Sequence, residues 1–218
     1  MKKTKLLNLY SGVGGNVKLL DRTKYEITSI ELDTKISAKY KELFPDDILI
    51  NADAKEYLLN HFEEFDIIWA SPPCQSHSKM AKFGRNRKPI FTDMALYEVI
   101  MFLKNYCNDK KWVVENVVPY YKPLIEPTIK IERHLFWSNF EFEEVTVPGI
   151  KNFINKTTVS GSNELKEWLG LNYTGNVYYR NNHCPAQVLR NCVHPLVGKH
   201  IIDSIENKNT KKKNKTLI

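Results

Sequence analysis

The sequence lacks closely spaced cysteine pairs. Its four cysteines stand at positions 74, 107, 184 and 192 of 218 residues, so their spacing predicts neither a zinc site nor a dense disulfide framework. We therefore expect reduced thiols, a cytoplasmic protein and no bound metal. The sequence also has no apolar run long enough to cross a bilayer and no signal-peptide cleavage pattern near its N-terminus. We expect no membrane partner.

Acidic residues are fewer than basic ones. The chain has 25 Asp and Glu against 32 Lys and Arg, which gives a net charge of +7 and a pI near 9.1. A basic excess favours a polyanionic partner. Part of the excess lies in a basic tail, residues 208–218, which we expect to be frayed and solvated.

The first half of the chain alternates predicted strands and helices. The predicted strands are 5–10, 25–31, 48–51, 65–70 and 112–115. The predicted helices are 17–20, 34–43 with Thr34 as a cap, 54–60 and 93–106. This alternation indicates an α/β fold with a mostly parallel sheet that helices cover on both faces.

The pattern changes after Asn116. Residues 135–137 and 140–147 are predicted strands, 148–185 have an irregular texture, and 188–206 return to a helical pattern with Pro195 in the first turn. We therefore expect a catalytic domain of residues 1–146 and 187–207, a small inserted segment of poor regularity at 147–186, and the tail.

A glycine-rich turn, Ser11-Gly12-Val13-Gly14-Gly15, follows the first predicted strand. It lacks the GxGxxG spacing of a dinucleotide fingerprint, so a pyrophosphate grip is not predicted. Glu31 ends the second predicted strand and Asp53 follows the third, where carboxylates bind ribose hydroxyls or an adenine amino group. A lone acid at the end of a strand is more often a helix cap or a solvated side chain than a ligand. Together with the turn they favour a nucleoside-type cofactor.

A cysteine follows the fourth predicted strand, in Ser71-Pro72-Pro73-Cys74-Gln75. The two prolines stiffen the exit of the strand, so Cys74 lies at the sheet edge where open α/β sheets carry their chemistry. The pentapeptide alone leaves two interpretations open, a nucleophilic thiol or a buried cysteine after a rigid turn.

With these features, the chain resembles the DNA cytosine-5 methyltransferase family. The resemblance rests on Asn-Leu-Tyr-Ser-Gly-Val-Gly-Gly at 8–15, Ser-Pro-Pro-Cys-Gln-Ser-His-Ser at 71–78, Glu-Asn-Val at 115–117 and Leu-Arg-Asn-Cys-Val-His-Pro at 189–195. The family's usual first motif begins Asp-Leu-Phe, so Asn8 and Tyr10 are replacements. The order of the motifs implies a Rossmann-like methyltransferase domain with a small target-recognition subdomain.

The resemblance implies a role for each matched residue. Cys74 is the nucleophile, Glu115 the proton donor to the base, and Asn116 and Pro73 fix the site. Arg133 contacts the target base, although His134 is an alternative for that role. The cofactor is S-adenosylmethionine, and the residues expected to bind it are Tyr10, Ser11, Gly12, Gly14, Gly15, Glu31, Leu32, Asp53, Pro72, Asn191 and Val193.

The expected partner is double-stranded DNA from which the target base is flipped. A loop at 76–91 is expected to close over that base; its cations are Lys79, Lys82, Arg85, Arg87 and Lys88. In the short recognition segment, Tyr173, Tyr178, Tyr179, Arg180 and His183 are candidates for DNA contacts or for packing in a small core. A cognate restriction endonuclease or a recognition partner is also expected, in a bacterial or phage-infected cell.

Two departures from the family keep other interpretations open. The family's Gln-x-Arg-x-Arg motif is reduced here to one arginine, Arg133, and the recognition segment is short. The alternatives are a tRNA cytosine-5 methyltransferase, although its Cys-Phe-Thr motif is missing, and a nucleic-acid-binding relative without catalysis.

Overall fold

The computed structural model describes residues 2–79, 89–179 and 183–215. In this part of the chain, the strands are β1 (Thr4–Leu9), β2 (Tyr25–Ile30), β3 (Ile48–Ile50), β4 (Ile67–Ala70), β5 (Lys111–Val117), β6 (Ile129–Ile131) and β7 (His134–Ser138). The α-helices there are α1 (Thr34–Leu43), α2 (Ala54–His61), α3 (Ala95–Tyr106), α4 (Val159–Leu169), α5 (Gln187–Arg190) and α6 (Pro195–Lys215). Short 3-10 helices are Gly15–Val17, Phe62–Glu64 and Phe153–Asn155.

The strands form one sheet in the order β3-β2-β1-β4-β5-β7-β6. The first five pair in parallel, and β7 and β6 add antiparallel strands at one edge. This is the predicted α/β fold with a mostly parallel sheet. The chain adds β2 and β3 on one side of β1 and then returns to add β4 and β5 on the other side. The order of the strands therefore reverses at β1. In open α/β sheets a ligand crevice forms at that point.

Neighbouring residues of each strand point to opposite faces of the sheet, so each face has its own core. On one face, Leu6 and Trp69 pack with α6 through Ile201 and its neighbours. On the other face, Leu7 and Ile68 pack with α2 and α3. Burial on both faces explains why β1 and β4 are almost continuously apolar.

Several predicted elements have different limits. Helix α1 has the predicted bounds, but Asp33 is its cap rather than Thr34: its Oδ1 accepts hydrogen bonds from the N–H groups of Lys35 and Ile36 at 2.9 and 3.2 Å. The predicted helix at 17–20 is instead the 3-10 turn Gly15–Val17. Most other predicted elements of the first half differ by one or two residues at an end.

The predicted strand at 140–147 is wrong. Its residues lie in the described part of the chain and form no ladder. The alternation that suggested a strand comes from Phe140 and Phe142, which are buried in the core beside Phe136. The side chains therefore pack as a strand would, while the backbone pairs with nothing in the sheet.

The inserted segment at 147–186 is more regular than predicted. It contains the eleven-residue helix α4. Thr158 caps the start of the helix by accepting from the Gly161 N–H at 3.2 Å, and Gly170 ends it in the left-handed conformation with φ 62°. Leu165, Leu169 and other apolar residues of the segment pack against the catalytic domain.

The predicted helix at 188–206 is divided into α5 and α6. A proline inside a helix removes one hydrogen bond and disfavours helical geometry in the residue before it. Helix α6 therefore begins at Pro195, as the sequence predicts, and Asn191–His194 form the connection. The backbone of α6 continues to Lys215, into the tail that was expected to be frayed. No helix of the described residues combines the length and apolarity needed to span a membrane.

Candidate active site

A cavity of about 480 Å³ opens at the carboxyl ends of the central strands. Much of its lining comes from the turns after β1 to β4, the end of β5 and the connection before α6. Helices α1, α2, α3 and α5 and the inserted segment contribute further residues. Of the residues predicted for the site, those that line it are Tyr10, Ser11, Gly12, Gly15, Glu31, Leu32, Asp53, Pro72, Pro73, Cys74, Glu115, Asn191 and Val193. One cavity therefore contains both the predicted cofactor residues and the predicted nucleophile.

The glycine turn after β1 gives the cavity its floor. Gly12 has a φ of 55°, and a Cβ added there would meet nothing within 4 Å, so the turn leaves open space beside its backbone. Gly14 also has a positive φ, 78°, but lies behind the turn, where a Cβ would come within 2.7 Å of the rings of Tyr40 and Phe44. Gly12 therefore leaves room for a ligand, and Gly14 allows close packing against α1.

Two carboxylates lie at the ends of β2 and β3. Glu31 accepts hydrogen bonds from the Gly12 N–H at 2.9 Å and the Asp33 N–H at 2.9 Å, and burial raises its pKa. Asp53 caps α2, because its Oδ1 accepts from the N–H groups of Lys55 and Glu56. The helix-cap interpretation of Asp53 is therefore correct, and the same side chain also lines the cavity.

The turn that carries Cys74 is held at both ends. The side chain of Asn116 donates from Nδ2 to the Pro72 carbonyl at 2.9 Å. The carbonyl of Cys74 accepts from the N–H groups of His77 and Ser78, each at 3.1 Å. Asn116 is buried behind the cavity wall, so its contact with the turn is structural support rather than a lining contact.

The thiol of Cys74 is uncharged in this structure. Burial and, secondly, the carboxyl of Glu115 raise its pKa to about 12, while Arg133 acts in the opposite direction. A thiolate is the reactive form of cysteine. Formation of the thiolate therefore depends on an arriving partner or on proton transfer within the site.

Glu115 lies beside the turn that carries Cys74 because of the register between β4 and β5. Ala70 pairs with Val114 in the β4–β5 ladder, so Ser71 and Glu115 follow side by side. Ser71 accepts from Trp69 Nε1 at 3.0 Å and hydrogen-bonds the Glu115 carboxyl. Burial raises the pKa of Glu115 to about 7, although the bond from Ser71 and the charge of Arg133 each oppose this rise. Glu115 therefore holds its proton near neutrality.

The two candidates for base contact lie in different surroundings. Arg133 donates to the carbonyls of Arg190 and Cys192 and lies over the Phe153 ring, 4.2 Å from its centroid. Its charge also acts on Cys74 and Glu115. The side chain of His134 is 8 % exposed, with its Nε2 3.5 Å from Glu115 Oε1. Which of the two holds a base stays a prediction.

Some cavity residues were not among the residues predicted for the site. They include Asn16, Lys55, Ser71, Asp93, Val117 and Cys192. Ser71 and Cys192 lie inside motifs that the sequence analysis quoted, and Asn16 directly follows the predicted residue Gly15, so position in or next to a motif was an available signal for all three. Asp93 gave no such signal, because its approach to the cavity depends on how the chain packs before α3.

The residues proposed for DNA recognition lie in different surroundings. Tyr173 is buried in the core of the segment, which fits packing rather than DNA contact, whereas Tyr179 lines the cavity. Tyr178 and His183 are exposed. Arg180 and the loop cations Lys82, Arg85, Arg87 and Lys88 lie outside the described residues, and Lys79, which is exposed, is the one loop cation within them.

The family model for C-5 cytosine-specific DNA methylases matches residues 4–120. The chain belongs to this family. The match contains the glycine turn, the Cys74 turn and Glu115, so it covers the first three motifs of the site. No curated protein sequence matches the chain.

Solved structures of methyltransferases are similar to the chain. A DNMT2 mutant from Spodoptera frugiperda has 27% sequence identity over 53% of this chain and 36% of its own, with a TM-score of 0.38. The Entamoeba histolytica methyltransferase EhMeth has 11% identity and a TM-score of 0.56, and the match covers 95% of this chain and 99% of that one. A SAM-dependent methyltransferase from Agrobacterium tumefaciens has 18% identity over 55% of this chain and 40% of its own, with a TM-score of 0.40. The chain thus spans about a third of the Spodoptera protein, while the likeness to EhMeth supports the fold.

The cofactor of this family member is S-adenosylmethionine. The residues at the glycine turn fit it. Ser11 Oγ is buried beside the cavity and has no hydrogen-bond partner among the described residues, and Gly12 leaves open space. The carboxylates of Glu31 and Asp53 stand at the ends of the next two strands, where a nucleoside is held. The fit therefore rests on an unpaired hydroxyl, an open cradle and two acids.

Proposed function

We propose that the chain methylates C5 of cytosine in DNA through a covalent adduct with Cys74. The single observation that carries this proposal is the shared cavity, which the glycine turn, Cys74 and Glu115 all line. A methyl donor held at the turn and a base beside Cys74 would then be neighbours. Proximity of this kind is a large part of what an enzyme supplies in a reaction between two substrates.

The chemistry of cytosine requires both catalytic residues. C5 of the base is too weak a nucleophile to accept a methyl group directly. Attack of the Cys74 thiolate on C6 makes C5 nucleophilic, and a proton from Glu115 to N3 neutralises the charge that develops on the ring. S-adenosylmethionine, when bound, supplies an electrophilic methyl group. Loss of the C5 proton to a base and elimination of Cys74 then release 5-methylcytosine.

The protonation states of the two residues fit this order of events. In the free site the proton of Cys74 is tightly held and Glu115 has a pKa of about 7. Arg133 is the cation that lowers the pKa of both groups. It therefore favours the charged states that the reaction needs, a thiolate at Cys74 before attack and a carboxylate at Glu115 after proton transfer.

The proposed substrate is double-stranded DNA with the target cytosine flipped out, because C6 is inaccessible in a stacked duplex. The net charge of +7 favours a polyanion. A protein partner, either a cognate restriction endonuclease or one that completes target recognition, is part of the same proposal. A tRNA substrate and a relative without catalysis are outcomes that the experiment below distinguishes.

The test is bisulfite sequencing of DNA from a methylation-free host that expresses the chain. We expect methylated cytosines in a fixed sequence context, and their loss with Cys74→Ser. Cys184→Ser is the matched control, since Cys184 does not line the cavity, and it should methylate as the wild type does.

Unmethylated DNA from cells with soluble protein that binds S-adenosylmethionine would contradict methylation of DNA by this chain without a partner. Transfer of a labelled methyl group to bulk tRNA by that protein would then support the tRNA alternative. Absence of transfer to either nucleic acid would support the relative without catalysis.

A further inference from the structure

His134 is a buried histidine with an unused nitrogen. It lies on β7, paired across the β5–β7 ladder with Val117, and its ring packs against Phe136. Its Nε2 is fully buried and has no hydrogen-bond partner in the described structure. Burial of such a nitrogen without a partner costs stability, so the position needs an explanation in function.

The polar group that this nitrogen approaches is the catalytic carboxyl. His134 Nε2 lies 3.5 Å from Glu115 Oε1, and the two side chains are 8 % and 6 % exposed. Hydrogen bonds from nitrogen to oxygen have lengths of about 2.7–3.2 Å. The two groups are therefore neighbours that are not yet hydrogen-bonded, and a shift of about half an ångström would bring the two atoms within bonding distance.

The charges around the pair decide which group holds a proton. The groups that act on Glu115 are Ser71 at the end of β4 and Arg133 before β7, and Cys74 lies close enough for Glu115 to raise its pKa. Burial and then the charge of Arg133 lower the pKa of His134 well below 6.5, so the imidazole is neutral. A neutral imidazole carries one N–H. It donates a hydrogen bond without removing the proton of Glu115, which a cationic side chain would do.

We propose that His134 is a positioning residue that donates from Nε2 to Glu115 Oε1 when Glu115 becomes a carboxylate. This inference rests on the proposed function, in which Glu115 gives its proton to N3 of the base. The bond forms as charge appears on Glu115 and not before, so it stabilises the intermediate more than the resting site. Interactions that strengthen toward the transition state raise the rate. Arg133 is then left for contact with the base.

Two substitutions of His134 separate this role from packing. His134→Leu removes the donor and retains an apolar side chain, whereas His134→Gln retains an N–H near the position of Nε2. We expect His134→Leu to lower kcat by about 10- to 100-fold, the effect of one hydrogen bond to a charged group, and His134→Gln to recover most of it. His61→Leu, at a partly exposed position on α2, is the matched control and should retain wild-type kcat.

The pKa of Glu115 is the second measurement. It is followed without turnover, by NMR of the protein with carbon-labelled glutamate side chains. Loss of the donor destabilises the carboxylate, so His134→Leu should raise the pKa of Glu115 by about one unit. The high-pH limb of the rate profile should move upward by the same amount. His134→Gln should leave both close to their wild-type values.

An unchanged Glu115 titration in a folded His134→Leu protein would overturn the inference, even if kcat fell. So would a His134→Gln variant as slow as His134→Leu. Failure of the wild type to methylate DNA or tRNA would count against the proposed function instead, and the titration would still decide the role of His134.

Discussion

Glu115 is both deeply buried and ionisable. Its side chain is 6 % exposed, and a buried carboxylate is costly because water no longer solvates its charge. The protein meets this cost by keeping the group protonated until pH reaches about 7. The same burial that makes Glu115 an acid near neutral pH therefore makes the folded state sensitive to pH.

Glu115→Gln should stabilise the protein at high pH. The pKa of Glu115 is higher in the folded state, about 7, than the ordinary 4.5, so the folded state binds more protons between these values. Wild-type stability then falls as pH rises from about 4.5 to 7. The variant lacks this loss and should be more stable than the wild type by a few kcal/mol at pH 8, but not at pH 4.

The measurement is urea unfolding of both proteins across this pH range. Glu126→Gln, at an exposed glutamate, is the control and should track the wild type. If the difference between Glu115→Gln and the wild type were the same at every pH, the pKa of Glu115 would not be raised on folding.

At the residue scale, the sequence predicts the candidate catalytic residues better than the neighbours that contact them. Cys74 and Glu115 follow from motifs, and the structure brings both to one cavity. Ser71 and His134 lie beside Glu115 only because β4, β5 and β7 pair in a particular register. A motif names residue types and spacings along the chain, so contacts across strands were not available from it.

At the scale of helices and strands, the close contact between α6 and the glycine turn matters most for the site. A Cβ added to Gly198 of α6 would lie 2.0 Å from the carbonyl oxygen of Asn16, and one added to Gly15 would lie 2.7 Å from that of Val193. The helix axis therefore approaches the cofactor turn as closely as backbone atoms permit. Gly198 fixes this approach although no motif named it.

Gly198→Ala should destabilise the protein and weaken its cofactor binding. Asn16 lines the cavity, its backbone would have to move away from the added Cβ, and overpacking of this kind costs about 1–3 kcal/mol. Thermal unfolding and titration with S-adenosylmethionine measure the two effects. Gly149→Ala, where a Cβ would meet nothing within 4 Å, should change neither. Equal affinity in Gly198→Ala and the wild type would refute the close packing.

Elements were predicted where side-chain pattern and backbone pairing coincide. Helix α1 has the predicted bounds because the helical pattern in its sequence matches the face that the helix buries in the structure. The strand at 140–147 failed because Phe140 and Phe142 are buried without pairing. Helix α4 was missed since Gly161 weakens its pattern, yet that glycine is required: a Cβ there would lie 2.9 Å from Lys156.

On the scale of the whole molecule, the short recognition segment is part of the body of the protein. Leu165 and Leu171 of the segment share a core with Val13 of the glycine turn, and Thr174 donates to Glu42 of α1. The segment therefore helps to build the cofactor side of the site. Any role in recognition of DNA is additional to that structural one.

The most direct test of the account is intact-mass spectrometry of a trapped complex. The protein is mixed with S-adenosylmethionine and a duplex that carries 5-fluorocytosine at the target position, since fluorine cannot leave as a cation and the adduct cannot be released. We predict a species that survives denaturation, with the mass of protein, DNA strand and one methyl group, and with Cys74 as the linked residue. Linkage at another residue, or DNA methylation that persists in Cys74→Ser, would contradict the proposed mechanism.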